Sequence, residues 1–187
     1  MISTYIAGID SSKRSTGVAI IKHYKDSDNN DVFELVDKWL IKTKLVKGQH
    51  LFQSELDSYN AMVDTMSKYI DQISYASFEG FAFGGQGLTQ LSSTAAVFQL
   101  YFAQNNKPIV HLAPTRVKLL IGGKGKAEKE EVREGLSNFI KNVDTVVWKS
   151  YDESDAVAIA ISSAIVNLYP ERFPVKVKKT RKKVVIA

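Results

Sequence analysis

A chain of 187 residues, 44% hydrophobic and free of cysteine, can bury one sizeable core; it excludes disulfide staples, thiolate zinc sites and cysteine nucleophiles. No apolar stretch approaches the length of a membrane-spanning helix, and Met1-Ile2-Ser3-Thr4 starts neither a charged nor an apolar leader region, so the expectation is a soluble, intracellular, cytoplasmic protein. The net charge of +5 is uneven: Lys176, Lys178, Lys179, Arg181, Lys182 and Lys183 put six positive charges after Phe173 and leave the remainder at about −1, a distribution that suits a polyanionic partner.

In chain order, residues 5–10 form a short apolar run ending in a carboxylate and residues 16–21 form a second, which predicts two strands joined by a tight polar turn. The Asp/Asn cluster at 26–31 is a turn, and 32–42 alternates as the third strand of an antiparallel meander. Leu56, Tyr59, Met62, Val63, Met66, Tyr69, Ile70 and Ile73 recur at three-to-four spacing, predicting one long amphipathic helix over 51–73. A short strand at 75–79 again ends in an acid; a Gly-rich loop at 80–87 and a helix over 88–104 follow. Residues 108–112 read as a fifth strand, 114–121 as a short helix started by Pro114, 122–126 as a flexible basic loop, and 127–140 as a helix. A last helix over 152–168 is apolar on most of its surface and predicted to be buried. The order implies an α/β domain over 1–169 with a mixed five-stranded sheet flanked by helices, and a basic C-terminal tail over 170–187 marked off by Pro170 and Pro174.

Four acids stand out. Asp10 and Glu79 each end a predicted strand, where α/β folds collect their catalytic groups, and they converge if those strands are parallel neighbours. Asp152 and Asp155, spaced i and i+3, share one face of the first turn of a helix, although Asp152 is equally placed to cap that helix. Acids gathered at one point need cations, and an all-oxygen site suits Mg²⁺ or Mn²⁺, two of which can hold both oxygens of an in-line phosphodiester displacement.

The stretch Gly8-Ile9-Asp10-Ser11-Ser12-Lys13-Arg14-Ser15-Thr16-Gly17-Val18-Ala19 closely resembles the first motif of the RuvC family of Holliday-junction resolvases, an RNase H-like group. Ser77-Phe78-Glu79 resembles the family's second acidic strand, Ala127-Glu128-Lys129 with Val132 its Ala-Glu-Lys helix start, and Asp152-Glu153-Ser154-Asp155-Ala156 its final acidic helix. The four motifs stand in the family's order and span about 5–166. The resemblance implies a homodimeric, metal-dependent endonuclease that resolves four-way DNA junctions by paired nicks, with Asp10, Glu79, Asp152 and Asp155 as catalytic metal ligands and Lys118 and Lys129 as the basic side chains at the scissile phosphate. Phe81 and Phe83 flank the family's base-stacking aromatic position; the flexible 122–126 loop, with Lys124 and Lys126 close to Lys118 and Lys129, is where DNA backbone is expected, and Lys13, Arg14 and Arg116 are the further expected DNA contacts.

Three features depart from the family pattern: Ser11-Ser12 stands where Pro-Gly is usual, the aromatic position is split, and the 26–31 insertion and basic tail are extra. A small, divergent resolvase with such a tail suits a phage or other mobile element. Gly84-Gly85-Gln86-Gly87 lacks the Lys-Ser/Thr ending of a P-loop, and His23, His50 and His111 show no metal-ligand spacing. The competing readings are another RNase H-fold nuclease acting on flaps, forks or RNA, a nuclease-dead nucleic-acid-binding module, and an actin- or Hsp70-like ATPase, which would need a second such domain.

Overall fold

Strand residues alternate between two apolar faces, and a sheet with both faces apolar must be covered on both sides. The computed structural model describes residues 3–12, 15–42, 48, 51–80 and 88–173. Strands β1 (Thr4–Asp10), β2 (Ser15–Lys25), β3 (Asp31–Lys42), β4 (Ile73–Glu79) and β5 (Ile109–Leu112) form one sheet in the order β3-β2-β1-β4-β5. The first three make the expected antiparallel meander, and β4 and β5 add in parallel to β1. Helices α1 (Leu51–Met66) and α2 (Leu88–Gln104) cover the face of Ala7, Ile9, Val18 and Ile20. Helices α3 (Pro114–Gly122), α4 (Lys129–Gly135) and α5 (Tyr151–Leu168) cover the face of Ile6, Ala19 and Ile21. This is the RNase H-like mixed sheet the sequence predicts.

Two helices are shorter than their apolar periodicity implies. The first ends at Met66 rather than at 73: the N–H groups of Tyr69 and Ile70 both reach the Met66 carbonyl, closing a turn, and Ile73 already pairs with Tyr5 in the sheet. Ile70 and Ile73 still face the core, so the spacing persists after the helix stops. The helix expected over 127–140 occupies Lys129–Gly135, closed at its start by a reciprocal box between Glu128 and Glu131. It then tightens into a 3-10 turn, Leu136–Asn138, because Ile140 bridges to Phe33 and the Lys141 N–H donates to the Phe33 carbonyl.

The β2–β3 hairpin turns on Asp26, whose Oδ1 accepts from the N–H groups of Asp28 and Asn30 at 2.9 and 2.8 Å. At the base of this hairpin Asp31 is bound by His23 (2.8 Å), Lys25 (3.0 Å) and the Tyr169 hydroxyl, which fastens the end of α5 to β3. Burial alone would raise the Asp31 pKa, but the hydrogen bonds from Tyr169, His23 and Lys25 outweigh it and hold the carboxyl down at about 2. A folded pKa below the unfolded value stabilises the fold above pH ~4, and that stabilisation is lost as pH falls through about 2. After discounting for solvent screening, Asp31→Asn is therefore expected to cost ~1 kcal/mol at pH 7 and much less at pH 2, as measured by urea denaturation at the two pH values.

Past α5, Pro170–Arg172 form a 3-10 turn and Phe173 packs beneath Arg116. The six basic residues of the tail lie outside the described residues, and no described helix is long and apolar enough to cross a membrane.

Candidate active site

Asp10 and Glu79 are the last residues of β1 and β4, which are parallel neighbours, so both carboxyls leave the same end of the sheet. What brings α5 to them is the absence of two side chains. A Cβ on Gly8 would lie 2.0 Å from the Ala156 carbonyl oxygen, and one on Gly17 would lie 1.9 Å from that of Asp152. Glycine at both positions lets the α5 backbone rest directly on β1 and β2, with its first turn over the end of β1. The small residues Ala156 and Ala160 continue this contact along the helix.

The result is a group of three carboxylates: one oxygen each from Asp10, Asp152 and Asp155 lies within 4.8 Å of the others. Glu79 is outside that group but shares with Asp10 and Asp155 a cleft of about 260 Å³, walled by Val117, Val132 and Ile159 and lined by Lys118 and Lys129. Asp152 stands at the margin, where its Oδ2 accepts from the Ser15 hydroxyl at 2.6 Å. It does not cap α5. Ser150 does, accepting from the Glu153 N–H, and Asp152 is left free to face the other acids.

Lys129 is the positive charge within this group: its Nζ is 2.9 Å from Asp155 and 3.9 Å from Asp152. Desolvation lowers the pKa of Lys129, but the hydrogen bond it donates to Asp155 and the fields of Asp155, Asp10 and Asp152 more than offset it and hold the pKa up. Asp10 responds in the opposite sense. Desolvation, then the charges of Asp155 and Glu79, push its pKa to about 8 against the pull of Lys129. Glu79 is likewise raised, by burial and by Asp155, with Lys129 and Lys118 opposing. Two neighbouring carboxyls with pKa values raised by burial and by the charge of Asp155 mark a site that has room for more positive charge than Lys118 and Lys129 supply.

Around this centre lie residues that motif reading did not single out. Ser15 orients Asp152. Glu153, 1% exposed, receives Lys38 from β3 at 2.9 Å and the Lys149 N–H at 2.7 Å, which anchors the first turn of α5 to the sheet edge. Tyr151 takes the Arg133 guanidinium over its ring at 3.8 Å and donates to Glu130 at 2.7 Å, tying α4, and with it Lys129, to α5. The one sequence signal for Glu153 is its place a single residue past Asp152, where helical geometry turns it inward.

Of the residues expected on DNA, Lys124 and Lys126 are exposed on the loop after α3, and Lys124 pairs with Glu131 at 2.5 Å. Arg116 lies on the opposite side of α3 from Lys118, outside the acidic cleft. Lys13, Arg14, Phe81, Phe83 and the Gly84–Gly87 stretch lie outside the described residues.

The family model for crossover junction endodeoxyribonuclease RuvC matches residues 6–163. A crossover junction endodeoxyribonuclease RuvC of Ehrlichia ruminantium is 31% identical over 160 residues, covering 83% of this chain and 93% of the relative. That of Aliarcobacter butzleri is 29% identical over 161 residues, covering 85% and 97%. The structure of Thermus thermophilus RuvC in complex with Holliday junction substrate superposes with a TM-score of 0.72 at 17% identity, covering 88% of this chain and 94% of that one. With the acids, their order along the chain and the sheet that carries them all in agreement, this chain belongs to the RuvC family of crossover junction endodeoxyribonucleases.

Proposed function

We propose that this chain resolves four-way DNA junctions by metal-dependent hydrolysis of paired phosphodiesters, with Asp10, Glu79, Asp152 and Asp155 as its catalytic, metal-holding acids. The observation that carries this reading is the convergence of three carboxylates within 4.8 Å, with Glu79 in the adjoining cleft. Their donor atoms are all oxygen, and the excess negative charge that raises the pKa values of Asp10 and Glu79 is what hard divalent ions relieve, so the residues fit Mg²⁺ or Mn²⁺, as a pair of ions. Such ions, when bound, act as Lewis acids on the phosphodiester and lower the pKa of the attacking water.

The chain's own residues do the rest. Lys118 and Lys129 hold the scissile phosphate as point charges, Lys129 exchanging its carboxylate partner for a phosphate oxygen. Val117, Val132 and Ile159 give the cleft a dry wall, which strengthens each charge interaction within it. Lys13, Arg14, Lys124 and Lys126 supply contacts along the backbone, and Phe81 or Phe83 stacks on bases at the branch.

Paired nicks require two such sites, and a homodimer provides them. The outer face of α1 and α2 supports this assembly: Phe52, Leu56 and Leu100 are 74%, 49% and 52% exposed and border one apolar groove with Tyr59 and Val97. The double substitution L56K/L100K is expected to convert a dimer into a monomer, as read by sedimentation velocity.

A substrate panel tests the function. With Mg²⁺ or Mn²⁺ the purified protein is expected to cut four-way junctions symmetrically and to leave linear duplex intact. Free degradation of linear duplex or RNA, with junctions ignored, would overturn the reading.

A further inference from the structure

Helix α3 separates two different surfaces. Its buried side carries Val117 and Lys118 into the acidic cleft. Its other side, with the chain that returns after α5, forms a second groove of about 490 Å³ bordered by Thr115, Arg116, Leu119, Gly125, Arg172 and Phe173.

This groove is built to present guanidinium groups. The Arg116 Cζ lies 6.0 Å from the centre of the Phe173 ring, and the Arg172 Cζ lies 5.0 Å from that of Tyr169, so each is braced by an aromatic plane that leaves its N–H edge available. Tyr169 is itself fastened to Asp31, which fixes the turn carrying Arg172. The groove's lining holds two arginines and no acid, and Arg116 forms no ion pair among the described residues. Among the described residues Arg172 forms an ion pair with its neighbour Glu171 alone, at 4.0 Å and with both side chains about 70% exposed, a pairing of little strength. Exposed Lys126 stands on the loop beside Gly125, and the sequence that leaves Phe173 carries six more positive charges.

We infer that this groove is a second binding surface for the phosphate backbone of duplex DNA, separate from the cleft where the strand is cut. The inference rests on the proposed junction-resolving function and adds to it the surface that holds a flanking arm. An α-helix is about 10 Å across, close to the ~12 Å width of a DNA major groove. One strand of an arm can therefore lie in the acidic cleft while the strand across the groove meets Arg116 and Arg172 on the far side of α3. Threonine at 115 and the open backbone at Gly125 add neutral donors of the kind that position phosphates without reading sequence.

The test compares full-length wild type with R116E/R172E and with the charge-neutral R116Q/R172Q, using a four-way junction with metal omitted. Because each phosphate contact contributes about 0.9 to the slope of log affinity against log salt, the neutral variant is expected to lose about 1.8 from that slope. Its affinity is expected to drop roughly tenfold at moderate salt, and more for the charge-reversed variant. K107E, at the opposite end of β5, serves as the control and is expected to leave the slope unchanged; circular dichroism confirms that each variant is folded. If wild type binds and cuts junctions but both arginine variants keep its affinity and slope, the groove inference fails while the functional reading stands. If wild type itself ignores junctions, the functional reading fails first.

Discussion

With asparagine in place of Asp10, cleavage of a four-way junction is expected to fall by at least ~10³-fold, while junction binding persists. Asparagine keeps the shape of the side chain and removes the charge at the point where β1 meets the first turn of α5. Loss of one carboxylate weakens the hold on a divalent ion, and several kcal/mol of transition-state stabilisation depend on that ion, each 1.36 kcal/mol being worth a factor of ten. Single-turnover cleavage and gel-shift titration measure the two halves of the result. A variant that cuts at the wild-type rate would remove Asp10 from the site.

The same substitution has a second effect of opposite sign. The Asp10 pKa, about 8, exceeds its ordinary value of 3.8, so the folded state binds the proton more tightly than the unfolded state. Such a group costs nothing at low pH, and the metal-free wild type loses stability as pH rises from about 4 to about 8. The full shift corresponds to at most ~6 kcal/mol; because the carboxyl keeps some contact with solvent, ~2 kcal/mol is the expected size. Metal-free D10N is therefore expected to be the more stable protein at pH 8.5 and equal to wild type near pH 4, as read by urea denaturation. Activity and apo stability are opposed at this residue because the acid cluster is arranged for a cation.

Gly17→Ala is the second large effect, expected to cost ~3 kcal/mol or more and to lower cleavage ~10²-fold in the fraction that folds. The added methyl would meet the Asp152 carbonyl at 1.9 Å, a backbone atom that no rotamer change can move aside. Relief requires lifting the start of α5 off β2, which carries Asp152 and Asp155 away from Asp10. Urea denaturation gives the stability loss, and single-turnover rates at a temperature where the variant is folded give the catalytic loss. Wild-type values for both would mean that α5 is not seated through this glycine.

The strands and acids were legible because each depends on local pattern. Short apolar runs mark β1 and β2, alternation marks β3, and an acid closing a strand is visible without knowing what the strand pairs with. Periodicity overran α1 because Ile70 and Ile73 face the same core whether or not the backbone stays helical. Asp152 fits a cap as well as a metal ligand by position alone, and Ser150 takes the capping role, a matter of one backbone turn. Long-range partners left no local trace: Lys38 and Glu153 are 115 residues apart, and the Ser15 hydroxyl finds Asp152 across 137. Arg116 and Lys118, read together from one motif, sit two positions apart on a helix and therefore face different surfaces.

The seating of α5 across Gly8 and Gly17 also sets when the enzyme comes into being. The meander, β4 and β5 precede α5 along the chain, and synthesis delivers them first, with one apolar face still waiting for its cover. Asp152 and Asp155 arrive on the element that completes that face, so the same event that buries the core assembles the acids. A nascent or truncated chain lacking α5 has two of its four acids and an incompletely covered sheet face, so it cannot assemble the acidic group before the core closes.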